Sequence, residues 1–257
     1  MNNGYEYYYL FGLDIPLDKY GLGKIKQPKI IDYLNYDIDI ENFYLPFIMN
    51  DVLLGRSKNK ESVKKAIAQL GSLTFLLVSC FQERGHDLIS LLLNTIKFLY
   101  RAEKVEIIEG LKISIDDEIF IDNDNFDILS NVILEMIRID KKDFQFEKTE
   151  DELDPITQRF EMLRREHQKR TKGKTSKLKI VDSLNILVHF NGINGDYNKV
   201  LNMTLYQVRN SLETLGSKNN YETFMKYKLS SNYDVKEEVK IWSSQKIIKN
   251  SSINKDV

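Results

Sequence analysis

The sequence predicts an α+β fold, mostly helical, with a small antiparallel hairpin or sheet in an N-terminal domain and an all-helical C-terminal module. Three observations predict it. Apolar residues recur at helical spacing from Lys60 to Phe81 and from His86 to Tyr100. From Val105 to Ile121 the period changes to two, with Glu109-Gly110 as a turn. Between Arg164 and Lys179 eight Lys/Arg face the single acid Glu166, and the stretch reads as a basic linker. The expected organisation is an α+β domain over 1–145, a charged helix and linker over 146–179, a helical module over 180–250, and a frayed tail over 251–257.

Each element follows from local chemistry. Tyr5 to Phe11 is aromatic and reads as a strand. Gly12, Pro16, Gly21 and Gly23 punctuate a loop. Pro28 starts a short helix carrying Ile30, Ile31 and Leu34. The acidic-aromatic run from Asp37 to Met49 offers Phe43, Tyr44, Phe47 and Ile48 to the core, and Pro46 argues against a central strand. Val63, Ile67, Leu70, Thr74 and Leu77 line one helix face. Leu88 to Leu99 is apolar nearly all round, as in a central helix. Asp122-Asn123-Asp124-Asn125 reads as the cap of a helix carrying Phe126, Leu129, Ile133, Leu134 and Ile137. Further helices are expected over 180–190, 204–215, 220–229 and about 235–248, the last with Trp242.

Composition excludes several classes of function. The 257 residues carry a net charge of −1, so no general pull toward nucleic acid or anionic membrane exists. One cysteine allows no intrachain disulfide. The longest apolar stretch, Leu73 to Phe81, is too short to span a bilayer. No Gly-rich phosphate loop, GxSxG, HExxH or CxxC is present, and no cofactor is expected. Asp122 to Asn125 lacks the glycine of a calcium loop, because Asp127 stands at that position. Cys80 lies inside an apolar run where a thiol stays protonated, so pairing with His86 for nucleophilic chemistry is disfavoured. No catalytic residue and no metal site is expected. Charge is segregated: Glu103 to Asp127 holds nine acids against Lys104 and Lys112, opposite in sign to the basic linker.

The segment from Gly192 to Leu215 admits two readings. Gln207, Arg209 and Asn210 could be the polar donors of a DNA-reading helix. Tyr197 to Leu201 is short for the first helix of such a pair, and acids such as Glu213 and Glu222 flank the module. Thr204 reads better as a helix cap, with Leu205, Val208 and Leu212 as a buried stripe.

Three segments resemble tail assembly chaperones of long-tailed bacteriophages of low-GC hosts. The first is Phe11-Gly12-Leu13-Asp14-Ile15-Pro16 followed by Gly23-Lys24-Ile25-Lys26-Gln27-Pro28-Lys29-Ile30-Ile31-Asp32. The second is Ile113-Ser114-Ile115 through Ile119-Phe120-Ile121 into Asp124-Asn125-Phe126-Asp127. The third is Asp196-Tyr197-Asn198-Lys199-Val200-Leu201-Asn202-Met203-Thr204-Leu205-Tyr206-Gln207. The resemblance implies a non-enzymatic factor in the host cytoplasm, absent from the mature virion, that shields the helical tape measure protein until tail tube subunits replace it. Homo-oligomers are compatible with it. The groove would be lined by Leu205, Val208, Leu212, Phe224, Tyr227 and Trp242, which fit the core of a small helical domain equally. The alternatives are a structural virion subunit of tail, baseplate or connector, and a helix-turn-helix regulator.

Overall fold

The computed structural model describes residues 4–57, 59–82, 86–141, 179–190 and 196–230. The fold is α+β and mostly helical, with two small antiparallel sheets. Helix α1 (Glu6–Phe11) leads into β1 (Ile15–Pro16) and β2 (Lys24–Ile25), which pair with Ile15 opposite Ile25. Next come α2 (Ile30–Asn35), a 3-10 turn (Leu45–Phe47), α3 (Met49–Arg56), α4 (Lys60–Leu70), α5 (Ser72–Gln82) and α6 (His86–Tyr100). A meander of β3 (Val105–Ile108), β4 (Lys112–Ile115) and β5 (Ile119–Ile121) precedes α7 (Phe126–Met136). The C-terminal elements are α8 (Ile180–Phe190), α9 (Tyr197–Leu201) and α10 (Leu205–Leu229).

The core forms where the apolar stripes of α5, α6 and α7 meet the 3-10 turn. Leu92, Ile96 and Leu99 of α6 and Leu129 and Ile133 of α7 are buried there with Phe43 and Phe47. Thr95 and Ser130 are polar residues buried on α6 and α7, and their hydroxyls donate to the Phe43 carbonyl (3.0 Å) and the Phe126 carbonyl (2.8 Å). The meander adds Ile113, Ile115 and Ile121 from one face, as its period of two requires. Its second turn places Asp116 and Asp117 at φ 50° and 59°. The Asp116 carboxylate repays that by accepting from the amides of Glu103 (3.0 Å) and Lys104 (2.7 Å). Leu187, Val188, Val200, Leu205, Tyr206 and Val208 join the same core as residues 5–137. The C-terminal helices therefore bury their apolar sides against the N-terminal elements.

Four local expectations need correction. Tyr5 to Phe11 is helical. Tyr5 and Tyr9 are buried while Tyr7 and Phe11 are exposed, a spacing of four that only a helix gives. Tyrosine's strand preference depends on packing context, and here the context is another helix. Second, the helix expected from Lys60 to Phe81 breaks at Gly71 (φ +83°), with a bend of 112°. A Cβ there would overlap the Asn123 side chain. Asn123 bridges the break: it accepts from the Thr74 amide at 3.0 Å and donates to the Leu70 carbonyl at 3.1 Å. Third, Asp122 to Asn125 does not cap α7 through its side chains. Asn125 accepts from the Asp122 amide and donates to the Phe120 carbonyl, each at 2.9 Å, so the loop closes on itself. Fourth, the helices expected over 204–215 and 220–229 are one, α10, which runs through Gly216. The expected charged helix after Lys141, the linker and the helix with Trp242 lie outside the described residues.

No single helix among the described residues is long and apolar enough to cross a membrane. The α4–α5 pair reaches that length and composition only together, across its bend.

Candidate functional site

The site with the most chemistry invested in its placement is α10. The Thr204 hydroxyl accepts from the Gln207 amide (3.3 Å), and the Gln207 side chain accepts from the Thr204 amide (2.9 Å). This capping box satisfies two donors that a helix start leaves open. The same first turn is tied to distant chain. Lys29 and Thr204 form an antiparallel bridge, and the Ile30 amide donates to the Met203 carbonyl at 2.9 Å. Gln207 also donates to the Leu10 carbonyl at 2.9 Å, at the end of α1. Gly12 makes this approach possible. Its φ of +66° closes α1, and an added Cβ would lie 3.0 Å from the Thr204 methyl.

On the same first turn, Tyr206 stacks on Tyr9, with ring centroids 5.4 Å apart. The Tyr9 hydroxyl donates to a Glu135 carboxylate oxygen at 3.2 Å. Burial, and then the charge of Glu135, raise the Tyr9 phenol well above the usual tyrosine range. Arg138 completes the layer. Its guanidinium centre lies 5.2 Å from the Tyr206 ring, bonds Asn210, and pairs with Glu213 at 2.6 Å. Its side chain is 7% exposed. From α10, Arg209 donates to the Ile137 carbonyl at the end of α7, where a cation complements the helix dipole. Burial lowers the Arg209 pKa, against the opposing pull of Tyr44 and Tyr33.

The residues named as donors of a DNA-reading helix are thus used inside the fold. Gln207 caps α10 and holds α1, Arg209 holds α7, and Asn210 accepts from Arg138. The stripe expected to line a partner groove divides. Leu205 and Val208 are buried in the protein's own core, so they are not open to a partner, and Leu212 packs partly against that core. Phe224 and Tyr227 are 38% and 46% exposed, and Leu229 is 79% exposed. Trp242 lies outside the described residues. After Val208 no residue of α10 is buried. The helix is 25 residues, about 37 Å long, so its second half carries the exposed Phe224, Tyr227 and Leu229 well beyond the anchor.

Other candidates offer less. No group of three or more His, Cys, Asp or Glu side chains among the described residues could hold a metal ion. Cys80 is buried on α5. The Tyr197 hydroxyl lies 3.1 Å from Asn185 and 3.4 Å from the His189 ring on the surface between α8 and α9. Several acids of the meander are engaged locally: Lys104 pairs with Glu106 and Asp117, and Lys112 with Asp122. Arg138, Tyr9 and Glu135 had no signal in the sequence, because their partners lie far along the chain.

Comparisons of the chain with protein-family models, with curated proteins and with solved structures return no match.

Proposed function

We propose that this chain is a non-enzymatic assembly factor, a tail assembly chaperone of the long-tailed phage type, and that the second half of α10 meets its partner. The observation that carries the reading is the division of α10. A short anchored half takes most of the bonding, and an exposed half presents Phe224 and Leu229. A helix held firmly at one end, with Phe224, Tyr227 and Leu229 exposed toward the other, suits docking against an amphipathic helix. The sequence resemblance names that helix as the tape measure protein, with tail tube subunits as the competitors that displace the chaperone. The internal use of Gln207, Arg209 and Asn210 argues against DNA reading by this helix.

The reading places the protein in the host cytoplasm and leaves it out of the finished particle. Co-expression with the tape measure protein tests the binding. The partner's soluble fraction rises with this chain and returns to baseline when Phe224→Asp and Leu229→Asp are combined. An unchanged soluble fraction with the native chain overturns the proposal. Stoichiometric recovery from purified virions would favour a structural tail, baseplate or connector subunit instead.

A further inference from the structure

Two arginines occupy a backbone slot that ordinarily belongs to glycine. Helices α6 and α7 both end in the paired bonds of a Schellman turn. After α7, Arg138 donates to Glu135 and Ile139 to Leu134, both at 2.9 Å; after α6, Arg101 donates to Phe98 and Ala102 to Lys97. The residue in the left-handed position is Arg138 (φ +55°) in one and Arg101 (φ +56°) in the other. Glycine would take that position without strain. Asp37 (φ +52°) takes the same slot after α2 with no side-chain bond among the described residues, so the conformation alone assigns no role, and what distinguishes an arginine there is what its side chain reaches. Helix α1, closed by Gly12 in the same geometry, supplies the unstrained contrast.

What the Arg138 side chain does from that slot is specific. It reaches Asn210 and Glu213, one turn apart on α10, with the two nitrogens of one planar fork. The contact falls after Val208, the last buried residue of the helix, and before its exposed half. The core fixes the start of α10. A second fixed point further along is what sets the direction of a rod.

We propose that Arg138 is a positioning residue, held in a strained conformation so that its guanidinium sets the angle at which α10 leaves the body. The claim holds whatever α10 binds, so its failure and that of the chaperone reading are separable. The test is the distance between spin labels at Asn131→Cys on α7 and Lys226→Cys on α10, both exposed positions. The native background gives one narrow distribution. Arg138→Gly, which relieves the backbone while removing the fork, at least doubles its width with helix content unchanged. Asn210→Ala combined with Glu213→Ala removes the acceptors, leaves Arg138 in place and broadens the distribution equally. If Arg138→Gly fails to fold, the double variant carries the test. A folded variant of either kind that keeps the native width overturns the proposal.

Discussion

The two halves of α10 are one helix in backbone and two different objects in chemistry. From Leu205 to Glu213, Leu205, Tyr206 and Val208 are buried, while Gln207, Arg209, Asn210 and Glu213 bond to the end of α1, the end of α7 and Arg138. From Thr214 to Leu229 no residue is buried, and the ion pair Lys218–Glu222 (3.8 Å) lies within the helix itself. Helix continuity therefore does not imply a continuous role. An isolated helix of this composition is marginal in water, so the anchored half nucleates the exposed one.

Substitutions that treat the halves alike should give opposite or unequal results. The largest effect is expected from Val208→Asp, which buries a carboxylate in the core and costs about 4 kcal/mol or more. Phe224→Asp on the exposed half changes stability by less than about 1 kcal/mol. Urea titration compares the two directly, and similar losses would erase the distinction.

Alkaline pH is the next probe. Burial raises the Tyr9 and Tyr33 phenols above the unfolded value of about 10. Above that pH the unfolded chain binds fewer protons than the folded one, so stability falls as pH rises. The loss is about 1.4 kcal/mol per pH unit for each such tyrosine until its folded pKa is reached. Below pH 10 this contribution is fully present. Tyr9→Phe makes the decline shallower, as unfolding curves between pH 9 and 11.5 will report.

Two glycines then separate the halves by sign. Gly12→Ala strains a φ of +66° and presses on Thr204, which destabilises the anchor by about 1–2 kcal/mol. Gly216 stands in the helix with nothing within 4 Å of an added Cβ. Gly216→Ala stabilises α10 by up to about 1 kcal/mol, visible as a rise in thermal midpoint. Within the anchor the smallest loss comes from Thr204→Ala, about 1 kcal/mol, because the rest of the anchor survives without its capping hydroxyl.

Elements fixed by local chemistry were legible in the sequence. The periods of α6, α7 and α8, the Glu109-Gly110 turn and the Thr204 cap each depend on residues within a few positions. Elements decided at long range were not. The break at Gly71 needs Asn123 to occupy the space where a Cβ would be. The helical state of Tyr5 to Phe11 needs Tyr206 and the end of α7. The anchor was half legible: Thr204, Leu205 and Val208 follow from pattern, whereas Arg138 sits in a left-handed turn that favours Gly or Asn, so its residue type concealed its place.

Amide hydrogen exchange along α10 tests the division of the helix most directly. In the free protein, amides from Val208 to Glu213 should exchange far more slowly than those from Lys218 to Lys228. Addition of the tape measure helix should then slow the second group alone. Uniform protection along the free helix, or protection by the partner confined to the anchored half, would contradict both the division and the binding face assigned to it.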